Sequence, residues 1–142
     1  MWASVAVAAA DSVRILIVHA YSQEYPWTKG QHQGFVDRLN HTLDIPPTIK
    51  TEYLDTKRVN FDQNYADRFA TFLWYKYQDF QPEAIYVTDD NGLKFGVQNL
   101  AKLFPDTPLF FSGVNDYSMM SKLDKTRQTG VFEKKEIGPN LD

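Results

Sequence analysis

Apolar positions along the chain change period in a regular way. Val13–His19 (VRILIVH) is an apolar run of strand length, the pattern of a strand covered on both faces. Ala20–Trp27 (AYSQEYPW) reads as a loop, with Pro26 barring helix before it and Thr28 as the N-cap of a first helix. Phe35, Val36, Leu39 and Leu43 give that helix its buried face, and Pro46-Pro47 ends the segment. Thr48–Leu54 (TIKTEYL) alternates weakly, as a strand at a sheet edge does. Asp55–Phe61 is a loop, Asp62 caps a second helix, and Tyr65, Phe69, Phe72, Leu73 and Tyr77 keep helical spacing within it.

The stretch from Ala84 to Phe104 organises the rest. Ala84–Thr88 carries β-branched Ile85 and Val87 and reads as a buried strand. Asp89-Asp90-Asn91 are short polar residues suited to capping, and Leu93, Val97, Leu100, Ala101 and Phe104 form one helical face that Pro105 terminates. Pro108–Ser112 is a fourth strand ended by Gly113. Val114–Leu123 is a loop or short helix with Met119 and Met120 as core filler, and Thr129–Phe132 is a fifth strand. Strands alternating with helices imply an α/β fold, a three-layer sandwich around a parallel five-stranded sheet of order 2-1-3-4-5.

That order puts the topological switch point between the first and third strands, where open α/β sheets bind ligands. The residues brought there are Tyr21, Ser22, Tyr25 and Trp27; Asp89, Asp90 and Asn91; Gly113, Asn115 and Asp116; and, at the periphery, Glu133. Tyr21, Tyr25 and Trp27 offer flat apolar surface to a small organic ligand, while hydroxyls and helix N–H groups orient its polar end. Two plainer readings stand beside this one. Asp89 and Asp90 cap the helix and face water, and Trp27 packs over the first helix as a staple.

Composition narrows the chemistry. The chain has 142 residues, 43% hydrophobic and 15% aromatic, which suits one folded domain. Its net charge of −3 argues against nucleic acid as a partner, and the absence of cysteine removes thiol chemistry. No G-x-S-x-G elbow accompanies His19 and Ser22, and no phosphate loop follows the first strand. A receiver domain needs an acidic pair after the first strand, and Ala20-Tyr21-Ser22 supplies none. His32 and His41 lack metal-ligand spacing and read as surface or packing residues. Asp89, Asp90 and Asp116 are a weak set for a hard cation. No catalysis, cofactor or metal is therefore expected. Met1–Ala10 (MWASVAVAAA) ends in the small-residue pattern of a signal-peptidase site and reads as the tail of an export signal or as a leader.

Together, ILIVHAYSQEYPWT at Ile15–Thr28, EYLDTKR at Glu52–Arg58, VTDDNGLKF at Val87–Phe95, FFSGVND at Phe110–Asp116 and TGVFE at Thr129–Glu133 carry a resemblance. The chain resembles the extracytoplasmic sensor domains related to ABC-transporter substrate-binding proteins, found on bacterial membrane-bound histidine kinases and diguanylate cyclases. The resemblance implies a periplasmic-binding-protein type I lobe, residues 11–133, that closes with a second lobe around a small ligand such as an amino acid. On that expectation residues 134–142 begin the crossover to the second lobe, and any membrane tether lies in downstream segments. The expected partner is a small-molecule ligand in the periplasm, for signal transduction or transport. The alternative is a protein-interaction or homodimerisation lobe with no ligand of its own.

Overall fold

The computed structural model describes residues 12–133; the leader and the crossover segment lie outside the described residues. Five strands form one sheet of order β2-β1-β3-β4-β5, and every pairing is parallel. They are β1 (Arg14–His19), β2 (Thr48–Tyr53), β3 (Ala84–Thr88), β4 (Leu109–Val114) and β5 (Gln128–Phe132). The expected α/β sheet, its order and its flanking helices are all present.

The alternation along β1 explains the layers. Ile15 and Ile17, with Tyr86 of β3, pack against Phe35 and Leu39 of helix α1 (Pro26–Thr42). Leu16 and Val18 face the other way. With Ile85, Val87, Leu109 and Phe111 they meet Ala66, Ala70, Leu73 and Tyr77 of α2 (Gln63–Tyr77). Leu93, Phe95 and Leu100 join the same cluster. Each wholly buried side chain of this size contributes on the order of 1.5–3 kcal/mol relative to exposure. A central strand apolar on both faces is thus what a sandwiched parallel sheet requires.

Local details depart from expectation. No helix precedes Pro26, as expected, but Pro26 and Trp27 belong to α1 rather than to the loop, Pro26 sitting in the first turn where its missing N–H costs nothing. Tyr25 is the N-cap, and Thr28 lies inside the helix, fully buried. Asp62 does cap α2, accepting from Tyr65 N at 2.8 Å. Phe72, expected on the buried face of that helix, is 50% exposed; small Ala66 and Ala70 take the close approach to the sheet instead. The helix after β3 is α3 (Asp89–Phe95), then a π-helical segment (Gly96–Leu100), then α4 (Ala101–Leu103). The wider π turn shifts the helical face, so Gly96, Asn99 and Leu100 are buried while Val97 and Ala101 are only partly so.

Gly113 does not end β4. It sits within that strand at φ +73°, where two residues, Ser112 and Gly113, stand opposite one on β5. Such a bulge adds one residue to one strand and favours glycine in the left-handed region. Because of it, Phe111 and Val114 both face the α2 layer although they are three apart. A short 3₁₀ helix (Tyr117–Lys122) follows, with Met119 buried and Met120, expected in the core, half-exposed. No helix among the described residues is long and apolar enough to cross a membrane.

Candidate functional site at the carboxyl ends of the strands

Helix α1 starts above the carboxyl end of β1, so Trp27 and Gln31, one turn apart, project toward the first residue after β3. That residue is Asp89. It is 4% exposed and adopts φ +64°, a conformation that costs a side chain with Cβ about 1 kcal/mol and that Asp tolerates better than most. Its Oδ1 accepts from Trp27 Nε1 at 2.9 Å and its Oδ2 from Gln31 Nε2 at 3.1 Å. Gln31 Oε1 in turn accepts from Ser112 Oγ at 2.9 Å, and Ser112 is hydrogen-bonded to the Tyr86 hydroxyl. Burial raises the Asp89 pKa above the usual carboxylate range, the Asp90 charge adds to this, and the donated hydrogen bonds oppose it. Asp89 is therefore neither a helix cap nor a solvated carboxylate; it ties α1 to the switch point.

Asp90 has a different role. One oxygen, Oδ1, accepts from the backbone amides of Asn115 at 2.8 Å and Asp116 at 3.0 Å. Oδ2 has no partner among the described residues. Asn91 reaches sideways, its Nδ2 donating to Thr56 Oγ1 at 3.1 Å. Thr56 donates in turn to the Ala20 carbonyl, through its amide at 2.8 Å and its hydroxyl at 3.0 Å. The three carboxyl-end loops after β1, β2 and β3 are thereby stitched together.

Tyr21 and Tyr25 meet edge to face with ring centroids 5.4 Å apart, both half-buried. Burial, then the Asp89 and Asp90 charges, hold the Tyr21 hydroxyl above its ordinary pKa. The Trp27 ring is 47% exposed, so its N–H is committed while a face remains open. Gly113 packs against Gln31 and Asp89: a Cβ there would lie 2.7 Å from Gln31 Oε1 and 2.8 Å from Asp89 Oδ1. Asp116 caps the 3₁₀ helix, and the hydrogen bonds it accepts from the Ser118 hydroxyl and then from Ser118 N, at 3.0 Å, lower its pKa. Among the described residues Glu133 contributes backbone hydrogen bonds alone, to Val114 and to the Tyr117 hydroxyl.

The expected residues therefore share one end of the sheet but largely bind one another. Ser22 borders a cavity of about 210 Å³ with Glu24, Asp55 and Arg58. Asn91 borders another of about 220 Å³ with Asp62 and Lys94. Neither is lined by Trp27, Tyr21 or Asp90. A larger cavity, about 450 Å³, opens between α1 and the β2 edge, lined by Gln23, Thr28, Lys29, His32, Gln33 and Tyr53. The Thr28 hydroxyl is buried there without a partner.

His19 has no triad geometry. It is wholly buried, Nδ1 lying 2.9 Å from Thr88 Oγ1 and Nε2 3.0 Å from Nδ1 of His32, with Tyr53 stacked on the ring. Burial and the neighbouring His32 hold its pKa down to about 3. His32 is the packing residue expected, whereas Gln31, Thr56 and Lys57 are not singled out by the sequence. The four-residue step from Trp27 was the available signal for Gln31. The chain matches no family model, no curated protein and no solved structure at a significant level.

Proposed function

We propose that this chain is a non-catalytic, extracytoplasmic solute-binding or sensing lobe that recognises a small organic ligand, an amino acid or similar zwitterion, at the carboxyl ends of β1, β3 and β4. One observation carries the reading. Asp90 is anchored through one oxygen to two backbone amides while its other oxygen has no partner among the described residues, and Trp27, hydrogen-bonded to the adjacent Asp89, is 47% exposed. A held carboxylate with one available acceptor suits an ammonium group, and an exposed aromatic ring at the same end of the sheet suits an apolar side chain attached to it. The resemblance to sensor domains related to ABC-transporter substrate-binding proteins supports the same role, and an open ledge fits a lobe that closes on its ligand against a second surface.

The experiment is calorimetric titration of amino acids and small carboxylates into the protein, its Trp27→Ala variant and its Asp90→Asn variant. Loss of the Trp27 ring is expected to weaken binding five- to hundredfold, roughly 1–3 kcal/mol of buried side chain. Asp90→Asn keeps the backbone hydrogen bonds and removes the charge. Unchanged affinity in both variants would remove this ledge as the site.

A protein-interaction or dimerisation lobe is the second reading, favoured by the outer side of α2, where Phe72, Trp74 and Tyr75 are 50%, 43% and 83% exposed. Sedimentation velocity at micromolar concentration tests it. A Tyr75→Arg variant that sediments like the parent as a monomer counts against dimerisation through this helix.

A further inference from the structure

The Tyr21–Tyr25 corner already holds a cation. Lys57 Nζ lies 4.7 Å from the centroid of each ring, well inside the range at which an ammonium is attracted to an aromatic face. Lys57 makes no hydrogen bond or ion pair among the described residues, unlike its neighbour Arg58, whose guanidinium is paired with Asp55. Its position is set by the adjacent Thr56, which is pinned to the Ala20 carbonyl and to Asn91. The rings alone retain the ammonium, and the side chain that carries it is exposed and long enough to swing away.

We infer that the Tyr21–Tyr25 corner is a binding site for a small organic cation of the methylated-ammonium type, and that Lys57 is a tethered occupant which such a ligand displaces. The selectivity follows from hydration. A primary ammonium is strongly solvated and gives up much on meeting a ring, whereas a methylated ammonium gives up less and keeps its attraction to the aromatic face. Two rings at right angles present two such faces to one charge. The site deepens the solute-binding proposal and rests on it for its biological role, but it lies on residues distinct from the Asp90–Trp27 ledge.

The test uses tetramethylammonium and uncharged tert-butanol, titrated by NMR into the wild-type protein, Lys57→Met and Lys57→Met/Tyr25→Leu. In the wild type the Lys57 ε-methylene protons should be shielded by the rings, and tetramethylammonium should move them to the position of an unrestrained lysine. Lys57→Met should bind the cation about tenfold more tightly, as expected on removing an occupant that fills the corner in about nine molecules of ten. The added Tyr25→Leu change should abolish that gain, and tert-butanol should not compete. Lys57 protons that do not move at saturation, a Lys57→Met affinity within about twofold of wild type, or equal binding of tert-butanol would each overturn the inference. The wild-type measurement needs no variant, and Lys57→Gln replaces Lys57→Met if the latter fails to fold. Amino-acid binding that depends on Trp27, with Lys57 unmoved by saturating tetramethylammonium, would overturn this site and leave the ledge. Displacement of Lys57 with no amino-acid binding would do the reverse.

Discussion

The indole N–H of Trp27 donates to the Oδ1 of Asp89 at 2.9 Å, across 62 residues of chain. Gln31 holds the second oxygen of the same carboxylate, so one buried acidic group fixes the first two turns of α1 over the switch point. Asp89→Ala strands both donors and leaves a Cβ residue at positive φ. The expected cost is about 2–4 kcal/mol, combining lost hydrogen bonds to a charged group with backbone strain. Asp89→Asn keeps an acceptor and tolerates the left-handed region, so it should cost less than half as much. Urea unfolding followed by tryptophan fluorescence checks the order. An Asp89→Ala variant as stable as the parent would contradict the role assigned to this carboxylate.

Acid should destabilise the protein through His19. Its folded pKa of about 3, set by burial and then by His32, lies below the unfolded value of about 6.5. Between those values the unfolded chain binds a proton that the folded chain refuses. Stability conferred by neutral His19 is complete above about pH 6.5 and is lost as pH falls toward 3, at about 1.4 kcal/mol per unit. His32, lowered by burial, acts in the same direction. Asp89 acts oppositely, because a raised carboxyl pKa favours the fold once protonated. Unfolding free energies from urea titrations at pH 6.5 and pH 5 should differ by about 2 kcal/mol, and His19→Gln should flatten most of that difference.

Gly113→Ala is expected to be more damaging than Gly96→Ala. At Gly113 a methyl group meets Gln31 Oε1 and Asp89 Oδ1 at 2.7 and 2.8 Å and must also adopt φ +73°. At Gly96 it meets the far end of one flexible side chain, Leu109 Cδ1, at 2.7 Å. The Gly113 variant should lose roughly 2–4 kcal/mol and disturb the Trp27 environment; the Gly96 variant should lose roughly 1–2 kcal/mol with Trp27 unaffected. Thermal unfolding with fluorescence detection separates the two.

Periodicity was enough to place the sheet. Ala84–Thr88 is a strand with those bounds, and the apolar residues of β1 split between two cores, because a buried parallel strand must satisfy both faces. Punctuation residues were harder. Pro26 and Gly113 each have two meanings, stop or start and terminator or bulge, and only the partner element decides between them. The same limit applies at the site. Asp89 has the local signature of a cap, yet its partners lie on α1, so tertiary contact overrode the local preference. Phe72 shares the helical spacing of Tyr65, Phe69, Leu73 and Tyr77, whereas the helix packs on the core through Ala66 and Ala70.

The interior position of β1, between β2 and β3, has a consequence for biosynthesis. Its β2 edge pairs Arg14 with Thr48, but its β3 edge pairs Leu16 with Ile85, 69 residues later in the chain. At roughly 5–20 residues per second, a ribosome takes on the order of 3–14 s to supply that second neighbour. Throughout that interval a strand destined to be buried at five of its six positions has an open edge. The half-made sheet stays unlocked over that interval, and its first strand is the natural landing place for a holding chaperone.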